Sequence, residues 1–245
     1  MSDSIVLKGV PPSEQIIDTV ASESNGKVLL AFSCGKDSIA SWIALKRRGV
    51  KVIPYYYYIH PDLEFINKSL DYYEEFFGER IYRVPAPGVY RMWRNLVFQP
   101  PERIGVVMGT RIPKFNHDDL ARAVKITAQV PASTWVGLGI RAADSVNRRT
   151  SFVRTGAAVK NKLKFYPVWD WKKQRLRVEL YREKVKLPPD YWIFGRTFDG
   201  LDYRFVGPLK KHFPDDYERL RQYYPFIEAE IKRAEMAGHT SHLKD

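Results

Sequence analysis

The residues best suited to chemistry fall in one short run, Ser33-Cys34-Gly35-Lys36-Asp37-Ser38. Ser33 and Ser38 can donate hydroxyl hydrogen bonds, Lys36 offers a point charge, and Gly35 lets backbone approach a bound anion closely. Asp37 could cap backbone amides or help hold Mg²⁺. The run follows the apolar stretch Val28 to Phe32 and precedes the helical spacing of Ile39, Ile43 and Ala44. A polar turn there meets the amides and dipole of a helix N-terminus, a natural seat for phosphate. It is not a Walker A loop, which needs Gly-x4-Gly-Lys-Ser/Thr, and the same letters would also make an ordinary strand-to-helix turn. Cys34 fits as a small turn residue; a reactive thiol, favoured by the helix N-terminus, is the alternative.

A second set of cations lies far along the chain. Arg141, Arg148 and Arg149 could clamp phosphate oxygens, because guanidinium forks match phosphate geometry; a solvated basic loop is the competing reading. Lys160, Lys162 and Lys164 extend the patch. The formal net charge is +12, and from Arg141 to Lys186 there are 14 Lys and Arg against 4 Asp and Glu. A field of that sign attracts nucleotides, nucleic acid, anionic lipid or an acidic protein partner. Phe152, Phe165, Tyr166, Trp169 and Trp171 could stack on bases, although such residues more often fill a core.

The elements that would position these residues follow an α/β pattern. A short helix around Ile16 and Val20 comes first, then strands at Val28–Phe32, Val52–Tyr58 and Arg80–Val84. Helices at Ile39–Arg48 and Leu63–Phe77 alternate with those strands. The spacing predicts a parallel sheet with right-handed crossovers. Residues 85–117 are left unassigned by their Pro and Gly content. A helix over 118–129 and a strand over 134–138 come next, and residues 141–166 read as an irregular basic loop. Helices over 172–186 and 214–236, the latter interrupted at Pro225, close the pattern, with a frayed tail after Gly238. Three regions result: an N-terminal helical extension (1–26), a nucleotide-binding α/β domain (27–210) and a C-terminal helical segment (211–245).

With one cysteine, the chain has no intramolecular disulfide and no CxxC pair for a zinc site or an iron–sulfur cluster. No signal peptide or membrane-length apolar run is seen, so a reduced, cytoplasmic setting is expected. His60 and His117 are isolated and suggest no transition metal.

Four blocks resemble the PP-loop ATP pyrophosphatases, within them the phosphoadenylyl-sulfate reductase-like group. Ala31 to Ser38 is similar to the SGGKDS loop, with Cys34 standing for a glycine. Gly139-Ile140-Arg141-Ala142-Ala143-Asp144-Ser145-Val146-Asn147-Arg148-Arg149 resembles G-[IL]-R-x-x-[DE]-S-x-x-R. Lys164 to Trp171 looks like K-x-x-P-L-x-x-W. Tyr57 to Phe65 falls where the family has D-T-G-x-x-F, with the D-T-G absent. The resemblance implies a Rossmann-like, adenine nucleotide alpha hydrolase-like sheet binding ATP or a related nucleotide with Mg²⁺. It places the nucleotide on Ser33 to Ser38, Gly139, Arg141, Ser145, Arg148 and Arg149. Lys36, Arg141 and Lys164 would stabilise charge on departing pyrophosphate, and Asp37 would place metal or loop. Asp62 and Glu64 are acidic candidates at the sheet edge, or simply carboxylates at a helix start. The C-terminal nucleophilic cysteine of the reductases is missing: Gly238-His239-Thr240-Ser241-His242 holds none. Reductase activity is therefore not expected, since sulfite formation needs a thiolate. ATP cleavage at the α-phosphate or adenylation of an acceptor is expected instead. A catalytically weak accessory nucleotide- or nucleic-acid-binding protein, of the kind carried by phages and CRISPR-type mobile elements, is the alternative.

Overall fold

The computed structural model describes residues 3–111, 113–193, 195 and 200–239. The expected frayed tail and the Thr240 to His242 stretch lie outside them. In chain order the elements are α1 (Ser13–Glu23), β1 (Lys27–Ala31), α2 (Lys36–Arg47), β2 (Lys51–Tyr58), α3 (Glu64–Phe77), β3 (Tyr82–Pro85), α4 (Pro87–Arg94), α5 (Ile104–Gly109), α6 (His117–Thr127) and β4 (Val136–Leu138). They continue with α7 (Val146–Thr155), β5 (Ala158–Val159), β6 (Lys164–Phe165), α8 (Lys173–Arg182), α9 (Asp190–Ile193), α10 (Tyr203–His212), α11 (Pro214–Tyr223) and α12 (Glu228–Met236).

The six strands form one sheet in the order β3-β2-β1-β4-β6-β5. β1 runs parallel to β2 and β4 and β4 parallel to β6, while the short edge strand β5 is antiparallel to its neighbour β6. The expected parallel α/β sheet is present, with helices flanking it. Its chain order reverses between β1 and β4, and in open parallel sheets ligands bind outside the carboxyl ends of the strands at such a reversal.

Two compact units divide the chain, and they interleave rather than follow one another. The first comprises residues 1–57, 73–82 and 118–187, the second residues 58–72, 83–117 and 188–245. In the first unit Val28, Leu29 and Leu30 are fully buried, as strands covered on both faces must be. Phe32 meets Trp42 and Tyr73 edge-on at 5.1 and 5.2 Å, and Trp42 stacks on Phe77 at 4.0 Å. Each such pair contributes about 1 kcal/mol beyond its area and fixes α2 behind the end of β1. The approach to α1 lies along the 169–171 segment: Trp169 Nε1 donates to the Pro11 carbonyl, the Ser13 amide to Asp170 and Trp171 Nε1 to Ser13 Oγ.

The second unit has its own core of Leu63, Phe65, Phe205, Leu209, Tyr217 and Leu220. Buried Asp216 accepts from the Glu64 and Phe65 amides at the start of α3. Glu64 stands in the first turn of α3 and pairs with Lys68, the dipole-favoured placement. His60 is buried, its Nδ1 accepting from the Asp62 amide and its ring edge-on to Tyr223; burial holds its pKa below the usual histidine range.

One expectation needs correction. Residues 141–166 are not an irregular loop: α7 occupies ten of them, and two short strands follow. For the aromatics offered to bases the core reading holds at four of five, since Phe152, Phe165, Trp169 and Trp171 are buried, while Tyr166 is half-buried.

Candidate functional site

The polar turn between β1 and α2 is shorter than its letters suggest, because α2 begins at Lys36. Gly35 is the extended residue before it, so Lys36, Asp37 and Ser38 form the first helical turn. The hydroxyls knit the loop together. Ser38 Oγ donates to the Gly35 carbonyl at 2.8 Å and accepts from the Ser33 amide at 3.2 Å; the Gly35 amide reaches Ser33 Oγ at 3.4 Å. Cys34 is buried with φ +56°, left-handed backbone that favours glycine. That is the position where the resembling family carries a glycine. Cys34→Gly should therefore leave the fold intact, whereas Cys34→Val, β-branched at positive φ, should lower stability; thermal melts of both variants check this.

Gly139, one residue past β4, lies against this helix start. A Cβ there would sit 2.7 Å from the Ser38 nitrogen and 2.9 Å from the Asp37 carbonyl carbon. The loop reaches its position beside β4 only because residue 139 has no side chain.

Arg141 is the centre of the arrangement. Its side chain is 5 % exposed and reaches the starts of three helices. Nε donates to Asp37 at 2.6 Å in α2, one terminal nitrogen to Asp144 at 2.8 Å before α7, and the other to the Trp171 carbonyl at 3.2 Å before α8. The Arg141 amide also reaches Asp144, and the Ala142 amide bonds the Trp169 carbonyl. Asp144 accepts Arg148 as well, while Ser145 caps α7 through the Arg148 amide. Asp37 takes Lys36 on its other oxygen at 3.1 Å.

Ser33 to Ser38, Gly139, Arg141, Ser145 and Arg148 are thus gathered around the carboxyl ends of β1 and β4. Lys164 stands apart. Its strand pairs Lys164 with Val136 and, through β4, with Leu29, two residues or about 6.6 Å short of the sheet edge. Its ammonium bonds Asp118 in the first turn of α6 at 2.6 Å. Near Asp118 lie the Tyr55 and Tyr57 hydroxyls, 3.5 Å apart; burial first pushes both phenols above their usual range, with Tyr57 adding to it at Tyr55 and the Asp118 charge contributing last at both. Arg149 is exposed on α7.

Asp144 and the Trp171 carbonyl are the site groups that reading by letters passes over. Asp144 was visible as the acidic position of the G-I-R-x-x-[DE]-S resemblance; the Trp171 carbonyl has no sequence signal. Among the described residues no three His, Cys, Asp or Glu gather where a metal ion could sit, and Asp37 already meets a cation on each oxygen. That donor set does not fit a magnesium ion held by the protein itself. No helix among the described residues is long and apolar enough to cross a membrane.

No protein-family model matches the chain, and no curated protein shows significant similarity to it.

Proposed function

We propose that this protein is a PP-loop protein that binds ATP at the turn between β1 and α2 and cleaves it at the α-phosphate. The observation that carries the reading is the loop's placement. A hydroxyl-rich turn with a lysine opens a helix at the carboxyl end of the central strand, where the sheet order reverses. Helix-start amides and the dipole favour phosphate there, and Lys36 and Arg148 add charge. Arg141, whose three guanidinium nitrogens each meet a protein acceptor, holds the surrounding helix starts in place beside the bound phosphates.

The substrate is ATP carrying its own magnesium. An acceptor oxygen, or water, attacks the α-phosphorus; the bond from that phosphorus to the α,β-bridging oxygen breaks; pyrophosphate departs with the electron pair, leaving an adenylated acceptor or AMP. Such a transfer needs positioning and charge stabilisation rather than a covalent nucleophile. Sulfonucleotide reduction is no part of the proposal, because the single cysteine lies buried in the loop.

The test is incubation with α-labelled ATP and Mg²⁺ and chromatographic separation of products. AMP with pyrophosphate, lost by at least tenfold in Lys36→Ala, is the expected result. Bound but unchanged ATP would leave a nucleotide-binding accessory protein, and ADP would overturn the reading of the loop.

A further inference from the structure

α7 is an unusual helix for a packed α/β unit. Of Val146 to Thr155 only Phe152 is buried, while Val146 and Val153 are 76 % and 58 % exposed. One aromatic anchor, set against Tyr166 and Trp169, fixes ten residues that otherwise stand in solvent. The helix carries three arginines and no acidic residue. Arg148 is tied to Asp144; among the described residues no carboxylate pairs with Arg149 or Arg154.

We infer that α7 is a docking helix for duplex DNA. Charge complementarity selects a polyanion, and the shape of the projection selects which one. A helix about 10–12 Å across with its side chains fits the roughly 12 Å major groove of B-DNA, whereas the deep, narrow major groove of A-form RNA does not admit it. Of the neighbouring aromatics Phe152, Phe165, Trp169 and Trp171 are buried in the core, and Tyr166 is half-buried edge-on to Phe152, so among the described residues beside α7 little ring surface is offered to single strands. Arg149 and Arg154 contact phosphates or base edges, and Asn147 can reach bases from the first turn. The position matters as much as the charge, since Asp144 links Arg148 to Arg141 and thereby to the phosphate loop. DNA on α7 would lie next to the bound nucleotide. That DNA also presents the acceptor rests on the proposed α-phosphate chemistry; the docking itself does not.

The experiment is fluorescence anisotropy of a labelled 20-base-pair DNA duplex over a salt series, without ATP. Wild-type affinity should fall linearly on a log–log plot against salt. Arg149→Ala with Arg154→Ala should lower the slope by about 1.8, two phosphate contacts' worth, and weaken binding by about tenfold or more at low salt. Arg177→Ala with Lys184→Ala removes two cations of and just beyond α8, also without a carboxylate partner among the described residues, and should change neither. Equal losses in the two double variants, equal affinity for an RNA duplex, or displacement by polyglutamate at matched charge would each overturn the proposal. Lys36→Ala should keep DNA affinity, and Arg154→Ala alone, outside the nucleotide-contacting set, should weaken DNA binding while keeping ATP binding, so this docking and the nucleotide reading fail separately.

Discussion

Arg141→Met should lower folding stability by about 3 kcal/mol and remove nucleotide binding in the same step. The guanidinium is buried, and its three directions each meet a different helix start: Asp37, Asp144 and the Trp171 carbonyl. Removing one partner of a buried ionic cluster leaves the others facing each other without compensation, which costs about 3–5 kcal/mol; the lower end applies because Asp37 and Asp144 are partly exposed. Arg141→Lys keeps the charge but not the fork, and a point donor cannot span three acceptors, so it should also lose ligand affinity. Arg148→Ala is the contrast. That arginine pairs with the same Asp144 from a half-exposed position, where such a pair contributes about 1 kcal/mol at most. Urea denaturation of the three variants decides the matter: if Arg141→Met is no costlier than Arg148→Ala, Arg141 does not hold the helix starts together.

Gly139→Ala should carry the second-largest effect. The added methyl would meet backbone atoms of Asp37 and Ser38 below 3.0 Å, and backbone cannot swing aside as a side chain can. The first turn of α2 must move, at about 1–3 kcal/mol and with a loss of ATP affinity of about tenfold or more. Gly105→Ala supplies the opposite sign. Nothing lies within 4 Å of a Cβ there, and the residue sits inside α5, so helix propensity should raise stability by about 0.5–1 kcal/mol. Calorimetry for ATP binding and thermal melts for stability separate the two glycines.

Strands β1 to β4 and the helices α2, α3, α6 and α8 were legible because buried strands and amphipathic helices leave periodic apolar signals, whereas β5 and β6, two residues each, are too short to leave one. α7 left none. Val-Asn-Arg-Arg-Thr-Ser-Phe-Val-Arg-Thr buries one side chain, so no apolar stripe marks it, and only Ser145 as an N-cap announced a helix. α10 was hidden by Pro208 within it. The Ser33 to Ser38 turn was legible as letters between a strand and a helix, yet the start of α2 at Lys36 depends on Gly35 being extended and Ser38 bonding back to it. Arg141 suits phosphate as well as carboxylate by type, so its carboxylate partners were not legible. Its partners Asp37 and Trp171 lie 104 and 30 residues away, and no local pattern reports such distances.

The Lys36–Asp37–Arg141 chain makes the loop an ion exchanger. Before any ligand arrives, one carboxylate already occupies a cation on each oxygen. A phosphate that engages Lys36 substitutes for Asp37 there rather than filling a vacancy, and only the surplus of its attraction over that of the carboxylate appears as affinity. A singly charged anion would exchange almost evenly. A triphosphate, with several charges spread along the start of α2, would gain on every contact beyond the first. On the proposed reading, the loop's own acid would thereby discriminate by valence, discouraging lone phosphate and monophosphates while leaving the polyphosphate chain of a nucleotide preferred.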